Sequence, residues 1–511
     1  MNGMKKNSLI AMLTMAAMAV AAVSCSKDAY FYDAFYPGDV NYIEGEGELQ
    51  PEPGDNFNEI KENGFIRTAE QPVSTFSVDA DGATYAYMRR CLKEMKAPPQ
   101  PNAVRIEEYL NYFTFDYEDP TGSEMLAINA ELGECPWNAE HKLLRLGLKG
   151  KSLQDSEIPD ANYILLVDVS GSMNGDDRIG LVKTALTTMV DYMKPTDRIA
   201  IITYAGSVKM LLESTLVKDA AKIKKAIKGL GASGSTAGGA AMKMAYEEAV
   251  EHYIKGGNNR IIMCTDGDFN VGVSSTDALV EMVESYLDKG IYLSIMGFGT
   301  GNYQDSRMEE LSNHGNGTYT YIDCEEEMLK VFVNERSHFY SVANDTKCQV
   351  SFDSTAVSSY RLIGYENRVM NNEDFENDKK DAGEIGAGQT VTALYEIVPG
   401  RNFKAGTSAM RFDVRYKKAL GEESCPMTED VAVPEMDASG RFTAPASENM
   451  LFASGVAALG LCFRDSKYRG EATLEMAKEL VDSGRSFDPG DFRKQLSGLI
   501  ENSLIFVESK R

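Results

Sequence analysis

Ile164-Leu165-Leu166-Val167-Asp168-Val169-Ser170-Gly171-Ser172-Met173 is the stretch on which the fold turns. Its first half is a continuous run of branched apolar residues, which suits a strand buried on both faces of a parallel sheet. The run breaks off at an acidic, hydroxyl-rich turn, and residues 178–193 read as a helix whose start closes that turn. Asp168, Ser170 and Ser172 place one carboxylate and two hydroxyls within five residues. Such hard oxygen donors favour a hard cation such as Mg²⁺. Short acidic, Ser-rich strings also write ordinary turns and helix N-caps, so the local sequence leaves both readings open.

Two later stretches shift the balance. Gly234-Ser235-Thr236-Ala237-Gly238-Gly239 is a second hydroxyl-bearing loop ahead of a helix, and Ile261-Ile262-Met263-Cys264-Thr265-Asp266-Gly267 is another buried strand ending in a carboxylate. In order and spacing, Asp168, Ser170, Ser172, Thr236 and Asp266 resemble the metal-ion-dependent adhesion site of von Willebrand factor type A domains, over residues 162–336. That resemblance implies an α/β doubly wound, Rossmann-like domain with its ion, Mg²⁺ or Mn²⁺, above the carboxyl ends of the strands. It further implies that the two serines and the threonine are hydroxyl ligands and that the aspartates mostly hold coordinated water. One position stays open for the Asp or Glu carboxylate of a protein ligand, or for a matrix or glycan component. Tyr204, Ser207, Ser233 and Asn270 are expected on the rim.

The spacing of apolar runs predicts strands over Tyr163–Val167, Arg198–Tyr204, Arg260–Cys264, Tyr292–Gly297 and Thr318–Tyr321. It predicts helices over 178–193, 219–228, 239–255, 276–289, 305–313 and 325–336. The Gly231–Gly239 loop has the glycine content of a mobile segment, and no Lys follows in the register of a phosphate-binding loop. In relatives, movement of the residue matching Thr236 accompanies a shift of the last helix.

Upstream, Met1–Ser24 reads as a lipoprotein signal peptide. Lys5 and Lys6 form a basic region, residues 9–23 are almost wholly small or apolar, and Ala22-Val23-Ser24-Cys25 resembles a lipobox cut before Cys25. Residues 25–70 are polar and acidic, a composition that predicts a flexible tether, although Tyr30, Phe31, Tyr32, Phe35 and Tyr36 interrupt it. Cys25-Ser26-Lys27-Asp28 is similar to the short tag of some surface lipoproteins. The expected location is therefore the cell envelope, as an outer-membrane lipoprotein held only by its N-terminal lipid, with periplasmic or surface orientation open. A net charge of −25 argues against a nucleic-acid partner.

Around the adhesion domain the pattern changes. Residues 71–160 carry an N-terminal extension and half-buried strands at 126–132 and 142–148; residues 337–440 add strands at 347–352, 358–365, 391–398 and 409–416. Strands before and after an inserted domain (161–336) pair most simply in one antiparallel β-sandwich. Residues 441–511 turn helical, at 450–463, 469–483 and 489–508, and the first of these is apolar on most faces, as expected for packing against the sandwich. Ser74–Asp81 and Arg105–Tyr117 resemble the extension of a bacterial branch of the family, the YfbK-like proteins, and the helical tail accords with it.

Of the eight cysteines, the seven after Cys25 include no CxxC pair, and an odd number leaves at least one thiol outside any internal disulfide. Cys264 falls within a predicted strand. The four histidines lie on separate elements, and no G-x-S-x-G elbow or H-E-x-x-H helix occurs. The sequence thus reads as a non-enzymatic, cation-dependent binding protein. An assembly scaffold with a vestigial ion site and a metal-dependent hydrolase are the alternatives.

Overall fold

The computed structural model describes residues 55–234, 239–267, 276–299 and 305–508. The signal peptide, Cys25, Thr236 and Asn270 lie outside them. In chain order the first elements are β1 (Ile66–Arg67), β2 (Val73–Ser77), α1 (Ala83–Arg90), α2 (Ile106–Asn111), β3 (Leu126–Glu134) and β4 (Lys142–Gly150). Next come β5 (Ala161–Asp168), α3 (Leu181–Tyr192), β6 (Arg198–Tyr204), β7 (Val208–Leu216), α4 (Ala220–Lys228), α5 (Gly239–Glu251), β8 (Asn258–Thr265), α6 (Thr276–Glu284), β9 (Tyr292–Gly297), α7 (Asp305–Asn313), β10 (Tyr319–Tyr321) and α8 (Glu325–Leu329). The rest are β11 (Ser341–Phe352), β12 (Val357–Ile363), β13 (Val369–Met370), β14 (Gly383–Gly386), β15 (Thr390–Pro399), β16 (Ser408–Lys417), β17 (Cys425–Ala432), α9 (Glu448–Phe463), α10 (Leu474–Ser483) and α11 (Phe492–Glu508).

β5 lies inside a six-stranded sheet of order β10-β9-β8-β5-β6-β7, and all eight of its residues are buried. Its alternation serves two cores: Ile164 and Leu166 enter one, while Tyr163, Leu165 and Val167 enter the other. β6 and β8 divide in the same way, with Ile202 and Met263 on one face and Ile201 and Cys264 on the opposite face. A strand that feeds both faces must be apolar throughout, which is why the sequence shows a run there rather than an alternation. β7 runs antiparallel to β6 and forms an edge. Sequence pattern gave no strand there, because Lys209, Glu213 and partly exposed neighbours break the apolar period.

The flanking strands form two antiparallel sheets, β1-β12-β15-β4-β3 and β13-β2-β11-β16-β17, with β14 beside β11. Each sheet mixes strands from before and after the inserted domain. β4 pairs with β15 from Lys142↔Ile397 to Lys149↔Thr390, and β2 pairs with β11 from Val73↔Ser351 to Ser77↔Lys347. Phe76, Leu146, Val350, Tyr395 and Phe412 meet between the sheets in a common core. The architecture is therefore the expected one: an α/β doubly wound domain inserted between segments of an antiparallel β-sandwich, followed by helices.

Those helices cover the outer face of the five-stranded sheet. Leu143, Leu394 and Ile363 leave the sandwich on that side and share a core with Phe452, Val456 and Leu459 of α9 and Leu496 of α11. Ser447 caps α9, its side chain accepting from Met450 N–H, and Thr473 does the same for α10 from Met476. The Thr473 cap sets the helix start at Leu474, later than the sequence pattern predicts. No helix among the described residues is long and apolar enough to cross a membrane.

α1 is enclosed on every side, all eight residues being buried. Ala83, Ala86 and Tyr87 complete the core of the inserted domain, while Tyr85 and Met88 belong to the core under α9. Of the tether expected over residues 25–70, residues 25–54 lie outside the described ones, and residues 55–70 include packed and paired positions rather than a free leash. Phe57 packs on Tyr87 with ring centroids 4.8 Å apart, Asn63 Nδ2 donates to Gly364 O at 2.8 Å, and Ile66 pairs with Tyr360. A few apolar anchors fix a polar segment here, which average composition does not register.

Candidate metal and ligand site

Asp168 is the last residue of β5 and is fully buried. Its Oδ1 accepts from Ser170 N–H at 2.8 Å, and its Oδ2 accepts from the Thr265 hydroxyl at 3.3 Å. The chain then makes a tight turn over Gly171–Met173, with the Met173 side chain buried beneath it. This turn presents the two serine hydroxyls on the same side, Ser170 Oγ and Ser172 Oγ being 2.9 Å apart. Two adjacent ligands of an octahedral Mg²⁺, each about 2.1 Å from the ion, stand about 3.0 Å from one another. The spacing of the pair therefore fits simultaneous coordination of one small hard cation.

The second loop is stitched to the first. Gly171 N–H donates to Gly234 O at 2.9 Å, and Ser233 N–H donates to Val169 O at 2.7 Å. Gly234 holds φ at +92°, a conformation that suits glycine. The described part of this loop thus reaches the Ser170–Ser172 turn two residues before Thr236.

Asp266 arrives from the neighbouring strand. β8 runs parallel to β5 with Cys264 opposite Val167, so Asp266 emerges just beyond the level of Asp168, and it is 4% exposed. Burial raises the Asp168 carboxyl to about 6 against the pull of the Ser170 N–H and hydroxyl, and the Asp266 charge adds to the rise. Among the described residues no ion pair includes Asp168. Two buried, mutually repelling carboxylates beneath paired hydroxyls form a donor set that a divalent cation would neutralise.

The expected rim is only partly a rim. Ser207 and Ser233 are exposed, but Tyr204 is fully buried, with its phenol against Asp168 and Thr265. Register explains the difference: Tyr204 pairs with Asp168 across β5 and β6 and falls beneath the loops. Sequence reasoning missed Thr265 as the residue that orients Asp168. Its signal was a hydroxyl at the end of an otherwise apolar strand, and Thr265 Oγ1 also accepts from Gly267 N–H at 3.1 Å.

Beside the site, Arg90 of the extension lies 3.5 Å from Asp177, five residues after Ser172, and also donates to the Tyr321 hydroxyl. The histidines lie elsewhere: His141 meets Glu396 at 2.6 Å, His314 meets Glu284 at 2.8 Å, and His338 is near Glu335. Glu248, Glu251 and His252 approach within 4.8 Å at the end of α5, where Glu248 already accepts from Ser214 N–H. All seven cysteines among the described residues are free thiols, and Cys264 is a buried strand residue as expected.

Three stretches match family models. Residues 51–145 match "von Willebrand factor", residues 163–268 match "von Willebrand factor type A domain", and residues 337–504 match "Uncharacterized protein YfbK, C-terminal". The chain is 36% identical over 464 residues to the Escherichia coli (strain K12) "Uncharacterized protein YfbK", covering 87% of this chain and 80% of that one. It is 26% identical over 290 residues to inter-alpha-trypsin inhibitor heavy chain H3 of Mesocricetus auratus, covering 54% of this chain and 29% of that one. Among solved structures, "von Willebrand factor type A from Catenulispora acidiphila" aligns with a TM-score of 0.44 at 17% identity, covering 71% of this chain and 88% of that one. A type A domain lies between sandwich segments, and the relationship to YfbK extends along nearly the whole chain: the protein belongs to the YfbK family of von Willebrand factor type A domain proteins.

Proposed function

We propose that this protein is a cell-envelope lipoprotein that captures a protein ligand through a divalent cation held by Asp168, Ser170, Ser172, Thr236 and Asp266. The observation that carries this reading is the 2.9 Å separation of Ser170 Oγ and Ser172 Oγ above the buried Asp168 carboxylate. Type A domains are modules that typically bind ligands, which agrees with a site at the carboxyl ends of the strands.

Each residue has a distinct task in this reading. Ser170 and Ser172 offer their paired hydroxyl oxygens to the ion. Asp168 and Asp266 supply negative charge from below, and Thr265 and the Ser170 amide hold Asp168 in one orientation. Thr236 brings a further hydroxyl from the glycine-rich loop. When bound, Mg²⁺ or Mn²⁺ supplies a positive centre with a coordination position for an Asp or Glu of the partner. Ser207 and Ser233, exposed beside it, contact the partner's surface. The work is electrostatic capture without bond cleavage, and Cys25 carries the lipid that anchors the chain to the outer membrane.

Two experiments test the proposal. Envelope extract is passed over immobilised wild type and Asp168→Ala, each with and without chelator. A partner retained only by wild type without chelator is the expected result, and equal recovery in all four samples refutes cation-dependent capture. For the anchor, Cys25→Ser should move the protein from the membrane to the soluble fraction and abolish labelling by a fatty-acid probe.

A further inference from the structure

The last strands of the two sheets, β3 and β17, come close to each other on one side of the sandwich. Among the described residues, β3 ends one sheet and pairs with β4 alone, while β17 ends the other and pairs with β16 alone. The two edges face a common groove of about 320 Å³, lined by residues 130–134 of β3, 429–432 of β17, and Pro434, Phe442 and residues 444–446 beyond it. Its floor is apolar, with Leu132 and Val431 buried. Phe442 closes one end under Lys142, whose ammonium stands 4.7 Å from the ring centroid. An edge strand carries a row of N–H and C=O groups directed away from its own sheet, and an extended segment of another chain pairs with such a row.

The charge at the groove selects the occupant. Glu131 is engaged by Arg145 and Ser447 N–H, each at 2.9 Å, and Glu134 by Lys142 at 2.7 Å and Phe442 N–H at 2.8 Å. Glu429 and Asp430 are exposed: Asp430 lies on the outer face opposite Arg411 of β16, whose guanidinium is bonded to Asp413, and Glu429 lies on the inner face with Val431. A second copy is disfavoured, because its own edge would bring the same carboxylates against these in a chain of net charge −25. The chain's own N-terminal segment is disfavoured too: from Ser26 to Gly54 it holds seven carboxylates against the single Lys27.

We infer that the β3–β17 groove is a docking site for an extended, cationic segment of a partner protein, which adds a strand to β17, sets a basic side chain beside Asp430 on the outer face and turns apolar side chains to the inner face. At about 3.3 Å per residue, the five groove-lining positions of β3 accept a segment of about five residues. Alternate side chains of that segment face the apolar floor and the solvent. This site uses none of the cation ligands and works independently of them.

The test uses the full chain in the presence of chelator, with fluorescently labelled, end-blocked hexapeptides read by anisotropy. The expected result is saturable binding of an alternating lysine–valine peptide and none of the glutamate–valine counterpart. Methylation of alternate backbone nitrogens, which removes the strand's donors, should abolish binding. Asp430→Asn, on an exposed side chain, should weaken it about threefold. Bound peptide should slow amide hydrogen exchange within residues 425–432. Equal binding of the two charge types, undiminished binding of the methylated peptide, absence of binding or unchanged exchange in β17 would each overturn the inference. So would protection of β17 without peptide in a dimer, which assigns the groove to a second copy.

Discussion

Arg89 Nη2 and Glu327 Oε2 meet at 2.7 Å with side chains only 1% and 2% exposed, joining α1 of the N-terminal extension to α8, which follows the last strand of the type A domain. The same guanidinium donates through Nε to Asp323 at 2.9 Å and through Nη1 to the Tyr112 hydroxyl at 2.6 Å, and Tyr112 in turn donates to Glu327 at 2.7 Å. A second arginine of the extension, Arg105, reaches Asp305 at 2.7 Å and Glu309 at 2.6 Å on α7. The extension thus grips the type A domain through buried ion pairs and hydrogen bonds. Pairs of this kind are costly to break, because the surviving partner is left charged and dry.

Arg89→Met should destabilise the protein by about 3–5 kcal/mol, since it strands Asp323 and Glu327 in the interior. Urea unfolding measures the loss. Adding Glu327→Gln to Arg89→Met should recover part of it, giving a non-additive double-mutant cycle.

Trp137 is the only tryptophan and is 1% exposed in the core beneath the helices. If α1 ties that core to the type A domain, tryptophan fluorescence and far-ultraviolet circular dichroism should trace coincident unfolding transitions in wild type. Arg89→Met should separate them.

Gly317 leaves no room for a side chain: a Cβ there would stand 1.7 Å from the Leu293 carbonyl oxygen. Gly317→Ala must push β9 and the approach to β10 apart, and a loss of at least about 2 kcal/mol is expected. Thermal unfolding monitors it, with the lesion confined to the type A sheet.

Glu107 provides a pH signature. It is 1% exposed, no other residue among the described ones hydrogen-bonds either of its carboxylate oxygens, and burial, with Glu366 nearby, raises its acid to about 8. The unfolded chain releases this proton near 4.5. Between those values the native state holds a proton that the unfolded state has lost, so stability falls as pH rises through the window, by up to about 1.4 kcal/mol per pH unit. Glu107→Gln should match wild type near pH 4 and exceed it at pH 8, as measured by denaturant midpoints across the range.

What could be read ahead of the structure follows burial. Arg198–Tyr204, Tyr292–Gly297 and 305–313 keep their predicted bounds, because continuous apolar runs and strong helical periodicity leave one placement. β7 and β17 escaped because both are edges: Lys209 and Glu213 in one, Glu429 and Asp430 in the other, dilute the pattern. At the site, Asp168, Ser170 and Ser172 lie within five residues and declare themselves. The burial of Tyr204 and the support from Thr265 depend on strand register, which no local string encodes. Nor does any local string pair Arg89 with Glu327, 238 residues apart.

Calorimetric titration of Mg²⁺ into the protein, with thermal unfolding as a second readout, tests the cation site most directly. Wild type should bind one ion, gain about 2.7 kcal/mol of stability at a hundredfold excess over the dissociation constant, and lose both responses in Asp168→Ala and in Ser170→Ala with Ser172→Ala. No heat with either Mg²⁺ or Mn²⁺ in a folded wild type, or the same heat and stabilisation in the variants, would contradict it.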